Sequence, residues 1–174
     1  MKTAVLLKVA ILFSLLASCS SMNQSLTPGT KTVVSDFDNS VEVIQNPISA
    51  ASSLGEGWNT LGFRWNSKRP EAVYLMVGTK GIVNITGLSL NIDGEIIDVE
   101  TASTLTDYDE WSTRQFVIPL EQFRKLAAAD LVKMKVIMID KYTVSSFGQT
   151  KPKAVVSGKF EGFLTQVDIQ LNKD

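Results

Sequence analysis

From Lys31 onward, apolar and polar residues alternate mostly with a period of two, the mark of half-buried strands. Lys31–Phe37 and Val41–Gln45 are short β-rich runs, and Asn46-Pro47 is expected to end the second. Trp58–Trp65 puts Leu61, Phe63 and Trp65 on one face, with Thr60, Gly62 and Arg64 on the other, before Lys68-Arg69-Pro70 breaks the run. Ala72–Val77 is continuously apolar, as a central strand covered on both sides would be. In Ile82–Ile92, Val83 and Ile85 share one parity and Leu88, Leu90 and Ile92 the other. The change falls at Gly87 and predicts a β-bulge there. Asp93-Gly94 then joins this run to Glu95–Val99 as a two-residue hairpin. Arg114–Ile118 and Val132–Ile139 supply two further strands, the second alternating Val132, Met134, Val136 and Met138 with lysines.

A helix is expected between those two. Pro119 suits its first position, Glu121 its start and Arg124-Lys125 its end, while Leu120, Phe123, Leu126 and Ala127 form an apolar stripe. The last segment fits two periods. Phe160, Phe163, Leu164, Val167 and Leu171 have helical spacing, and Thr165, Val167, Ile169 and Leu171 also alternate as a strand. Helix is the preferred reading, with Ser157 as its cap. Many short strands in antiparallel order imply a mainly β fold, an antiparallel β-sandwich or jelly-roll with one or two short helices. A partly closed barrel is the alternative.

The start of the chain has a different character. Lys2 and Lys8 precede the almost wholly apolar stretch Val9–Ala17, and small residues lead to Cys19. A charged start, a short apolar run and a small-residue cleavage site make a secretory signal peptide, well short of the roughly 20 residues of a membrane-spanning helix. Leu16-Ala17-Ser18-Cys19 resembles the lipobox of bacterial lipoprotein precursors. That resemblance implies cleavage before Cys19, attachment of acyl chains such as palmitate to it, and a place in the cell envelope. Ser20 at the next position favours the outer membrane, with the domain facing the periplasm. The expected organisation is a removed leader at 1–18, a lipidated tether at 19–30 and one β-domain at 31–174. Two or three acyl chains, at about 0.8 kcal/mol per buried methylene, hold such a protein stably on its membrane.

Composition narrows the chemistry. Cys19 is the only cysteine, so the core must hold the fold without an internal disulfide. The chain has no histidine, which removes the commonest general base and metal ligand. No cofactor site is expected. Its mild acidity, a formal net charge of −1 before Lys2 and Lys8 leave with the leader, gives no footprint for nucleic acid. No serine is followed by lysine three residues on, and Gly55-Glu56-Gly57 does not continue into a phosphate loop. The acidic cluster Asp107, Asp109 and Glu110 has the wrong spacing for a calcium loop, as does a start at Asp36.

The remaining candidates are Trp58 and Trp111, a platform for a sugar or a hot spot for a protein partner; Trp65 shares the parity of Phe63 and belongs to the core. Arg64 and Arg114, within strands, are candidates for an anionic ligand or for ion pairs with neighbouring carboxylates. These features describe a lipid-anchored, non-enzymatic module that binds a protein or glycan of the envelope. A two-carboxylate hydrolase acting on envelope glycans and a carrier of an apolar ligand are the alternatives.

Overall fold

A computed structural model describes residues 27–53, 55–150 and 153–173. The leader and Cys19 lie outside the described residues. Among those described, no helix is long and apolar enough to cross a membrane.

The first four strands are β1 (Lys31–Val34), β2 (Val41–Ser49), β3 (Asn59–Asn66) and β4 (Ala72–Lys80). Then come β5 (Ile85–Ile92), β6 (Glu95–Thr101), the two-residue β7 (Asp107–Tyr108) and β8 (Trp111–Pro119). Helix α1 (Leu120–Ala128) leads to β9 (Val132–Met138) and β10 (Tyr142–Phe147). A 3-10 turn (Val155–Lys159) leads into α2 (Phe160–Leu171), so the helical period prevails at the C-terminus.

The strands form one continuous antiparallel sheet in the order β1-β2-β3-β4-β8-β6-β5-β9-β10, with β7 beside β8. The mainly β antiparallel fold expected from the alternation is therefore present, as a single curled sheet with two short helices. Strand β6 turns the corner. Its Glu95–Val99 pair with Ile92–Leu88 of β5, whereas Glu100 and Thr101 pair with Val117 and Phe116 of β8. Strands that change partners in this way form the corners of packed β-layers. The curl brings β10 against the start of β3, where the Asn59 amide donates to Ser145 Oγ at 3.2 Å and accepts from Thr143 Oγ1 at 2.9 Å.

The core follows from the alternation. Leu61, Phe63 and Trp65 are buried, as are Leu88 and Leu90 and the β9 series Val132, Met134, Val136 and Met138. Both helices add phenylalanines to this core. Phe63 packs on Phe123 of α1, with ring centres 5.1 Å apart, and on Phe160 and Phe163 of α2, at 4.9 and 5.3 Å. Each such side chain contributes about 1.5–3 kcal/mol by leaving water.

Several local expectations change. Strand β2 does not end at Asn46-Pro47; it runs to Ser49 through a register shift between Gln45 and Ile48. Proline is tolerated at such a bulge because no ladder hydrogen bond is required of it. Opposite, Gly62 makes the room: a Cβ there would lie 2.7 Å from both Gln45 O and Pro47 N. The bulge expected at Gly87 is present as a register shift between Ile85 and Gly87. β4 is central as expected, but Tyr74 and Met76 on its outer face are only half-buried. β1 stops at Val34 and is exposed along its length. Pro119 is the residue before α1 rather than its first, with extended backbone at φ −56°, ψ 143°. Ser157 lies in the 3-10 turn, where its hydroxyl accepts from Gly148 N at 3.2 Å instead of capping α2.

Candidate functional site

The two tryptophans singled out in the sequence come together. A surface cleft of about 430 Å³ is lined by Trp58 and Trp111 with Ser49, Ser52, Glu56 and Thr60. Its volume is that of a small-ligand site. Three neighbouring strands set the tryptophan positions. Lys80 N donates to Trp58 O at 3.2 Å, and Lys80 is the direct partner of Trp111 in the β4–β8 register. Residues directly opposite each other share a face of the sheet. Asn59 and Ser112, their chain neighbours, are buried, so Trp58, Lys80 and Trp111 form a row on the outer face. Trp58 is 58% exposed, Trp111 is half-buried, and Lys80 Nζ lies 5.1 Å from the centre of the Trp58 ring.

The other wall is the segment between β2 and β3, and it is tied down from both ends. Ala50 N donates to Asn59 O at 3.0 Å, and Gly57 N reaches across to Val144 O of β10 at 3.3 Å. Glu56 is the main clasp. Its Oε2 accepts from Ser52 N at 2.8 Å, from Ser52 Oγ at 3.1 Å and from Ser146 N of β10 at 3.2 Å. Partial burial alone would raise the Glu56 pKa, but these donors outweigh it and hold the carboxyl below its ordinary range. The group is an ionised acceptor at neutral pH.

Sequence reasoning found the indoles but missed Glu56. Its only local sign was an acidic residue between two glycines just before Trp58, and its main long-range donor, Ser146, is remote in the chain. Trp65 is core as expected, its Nε1 donating to Pro70 O at 3.0 Å. Arg114 makes no ion pair among the described residues; its guanidinium donates to the carbonyls of Ile85 at 2.6 Å and Ser103 at 3.1 Å. Asp107 and Tyr108 form β7, whose hairpin with β8 carries the exposed Asp109 and Glu110 and delivers Trp111 to the cleft. Among the described residues, no three acidic, histidine or cysteine side chains gather as metal ligands would.

Compared with protein families, with characterised proteins and with solved structures, the chain finds no match.

Proposed function

We propose that this chain is a lipid-anchored binding module of the bacterial envelope, held at Cys19, which captures a protein or glycan partner in the Trp58–Trp111 cleft. The observation that carries the reading is the convergence of these two side chains, chosen for their chemistry alone, on one outer-face cleft. Exposed indoles in a concave site are typical anchors of recognition. Glu56 supports binding over hydrolysis. A glycosidase works with a pair of carboxyl groups, one protonated, whereas Glu56 is the one carboxylate among the described lining residues and is held ionised. Carriage of an apolar ligand inside the fold has less support, because Phe63, Phe123, Phe160 and Phe163 fill its centre.

Two variants test the halves of the proposal separately. Cys19→Ser should lose palmitate labelling, and labelling that persists would refute the anchor. In cells carrying the lipidated protein, crosslinking should capture a partner that the Trp58→Ala/Trp111→Ala double variant captures at least about tenfold less well. Equal capture by a normally folded double variant would move the binding site elsewhere.

A further inference from the structure

Resting on the cleft as the binding site, we infer that its ligand is an uncharged glycan whose pyranose rings stack on Trp58 and Trp111 and hydrogen bond to Glu56. The two indoles stand on alternate strands of a three-strand row, which separates their backbones by roughly 9.5 Å. A ring lying between two indole planes needs about 7–8 Å, two van der Waals contacts of ~3.5–4.0 Å each. Lys80 stands in that interval with its ammonium over the Trp58 ring, so the row suits one ring stacked on each indole rather than one held between them. Lys80 lies over one face of Trp58, and the residue is still 58% exposed.

The polar groups match the edge of a sugar better than any purely apolar ligand. Ser49, Ser52, Glu56 and Thr60 put polar side chains in the lining, and a fully apolar occupant would take them out of water without offering new hydrogen bonds. Glu56 is built to accept. Hydrogen bonds from Ser52 N, Ser52 Oγ and Ser146 N go to its Oε2, and the Ser146 hydroxyl also favours its charged form, so a ligand hydroxyl would meet a carboxylate already fixed by the protein. A ligand hydroxyl donating to a fixed carboxylate makes a charge-assisted bond, roughly twice as strong as a neutral one.

Charge decides the class of glycan. Glu56 in the cleft and the exposed Asp109 and Glu110 just before Trp111 repel an acidic polymer. Lys80, with its ammonium over the Trp58 ring, opposes a cationic sugar stacked there. An uncharged chain meets neither penalty.

The test uses the full-length lipoprotein in a detergent without a sugar headgroup, followed by its tryptophan fluorescence. The probes are hexamers of glucose and of N-acetylglucosamine, with hexamers of galacturonate and of glucosamine as acidic and cationic comparators. A neutral hexamer should give a saturable change, at least about tenfold tighter than either charged comparator. Trp58→Ala and Trp111→Ala should each weaken it about tenfold, and Glu56→Gln several-fold, with melting curves confirming that each variant is folded. A charged hexamer that binds equally well or better would overturn the assignment of charge. Failure of every hexamer, while the double tryptophan variant still loses its crosslinked partner, would overturn the glycan and leave the cleft to a protein. Failure of both would remove the cleft itself.

Discussion

Glu56 shows what a single residue does here that its position in the chain does not announce. Its carboxylate joins Ser52 in its own loop to Ser146 on β10, so one side chain holds a cleft wall against the far edge of the curled sheet. Because these bonds favour the ionised form, its native pKa lies below the ordinary value of 4.5. The sign follows from linkage: the stabilisation is fully present above 4.5 and is lost as pH falls through the lowered native value. Asp38 behaves alike, held well below the carboxylate range first by the Lys68 ammonium at 2.5 Å and then by Ser40. Glu56→Gln should therefore melt lower than the parent at pH 7, by about 1 kcal/mol after allowing for partial exposure. The gap should narrow as both are acidified from pH 5 toward 3. A gap that stays constant across that series would mean that charge on Glu56 does not hold the loop. The tryptophans were legible because Trp58 has the parity opposite to Leu61, Phe63 and Trp65 and follows Gly55-Glu56-Gly57, while Trp111 follows an acidic loop. Glu56 was not, since its meaning resides in Ser146, which only the closed sheet brings near.

Among the elements, the hairpin of β5 and β6 was the most legible, and the structure adds a second task to it. Asp93 and Gly94 both have positive φ, 50° and 101°, the backbone that a two-residue turn between right-twisted strands requires. Gly94 adopts it without strain, and aspartate tolerates it better than most residues. The Asp93 side chain also reaches the entrance of β9, accepting from Leu131 N at 2.8 Å and Asp130 N at 3.2 Å. The tip thus stitches the β5–β6 hairpin to the strand that pairs with β5 on its other side. Substitutions should separate the two tasks. Asp93→Gly keeps the backbone and loses the acceptors, at about 1–2 kcal/mol, while Asp93→Ala loses both and costs about 1 kcal/mol more. Urea denaturation orders them, and an alanine variant as stable as the parent would refute the stitch. The β2 bulge and α2 show the limit of local reading. Asn46-Pro47 is a sound stop signal that Gly62 on the neighbouring strand overrides. The period of the last segment was undecidable until Phe160, Phe163 and Val167 found the core.

For the molecule as a whole, alternation gave the strands and the sidedness of the core, but not the order in which they pair. Placing β8 between β4 and β6 depends on contacts that no local pattern encodes. The same holds at the join between domain and tether, which the polar composition of residues 20–30 put at Lys31. Gln45 is fully buried, and its amide is satisfied from that stretch: Nε2 donates to Pro28 O at 3.1 Å and Oε1 accepts from Thr30 Oγ1 at 3.1 Å. Asn46 O, also at 3.1 Å from Nε2, is its remaining partner. The folded unit therefore includes Pro28–Thr30, and under the proposed anchoring at Cys19 the longest possible span from lipid to domain shortens by about 10 Å. A chain begun at Lys31 should still fold, because the apolar core lies downstream, but it would strand part of a buried amide at about 1–3 kcal/mol. Begun at Thr27, it should melt several degrees higher, at roughly 4 °C per kcal/mol for a domain of this size. Gln45→Leu isolates the cause. It removes the amide that the extra residues satisfy, so if Pro28 and Thr30 stabilise the domain through Gln45, the two lengths carrying it should melt together. Equal melting temperatures with Gln45 intact would return the boundary to Lys31. A difference that survives Gln45→Leu would mean that residues 27–30 act through other contacts, and the amide would lose its role in fixing where the tether ends.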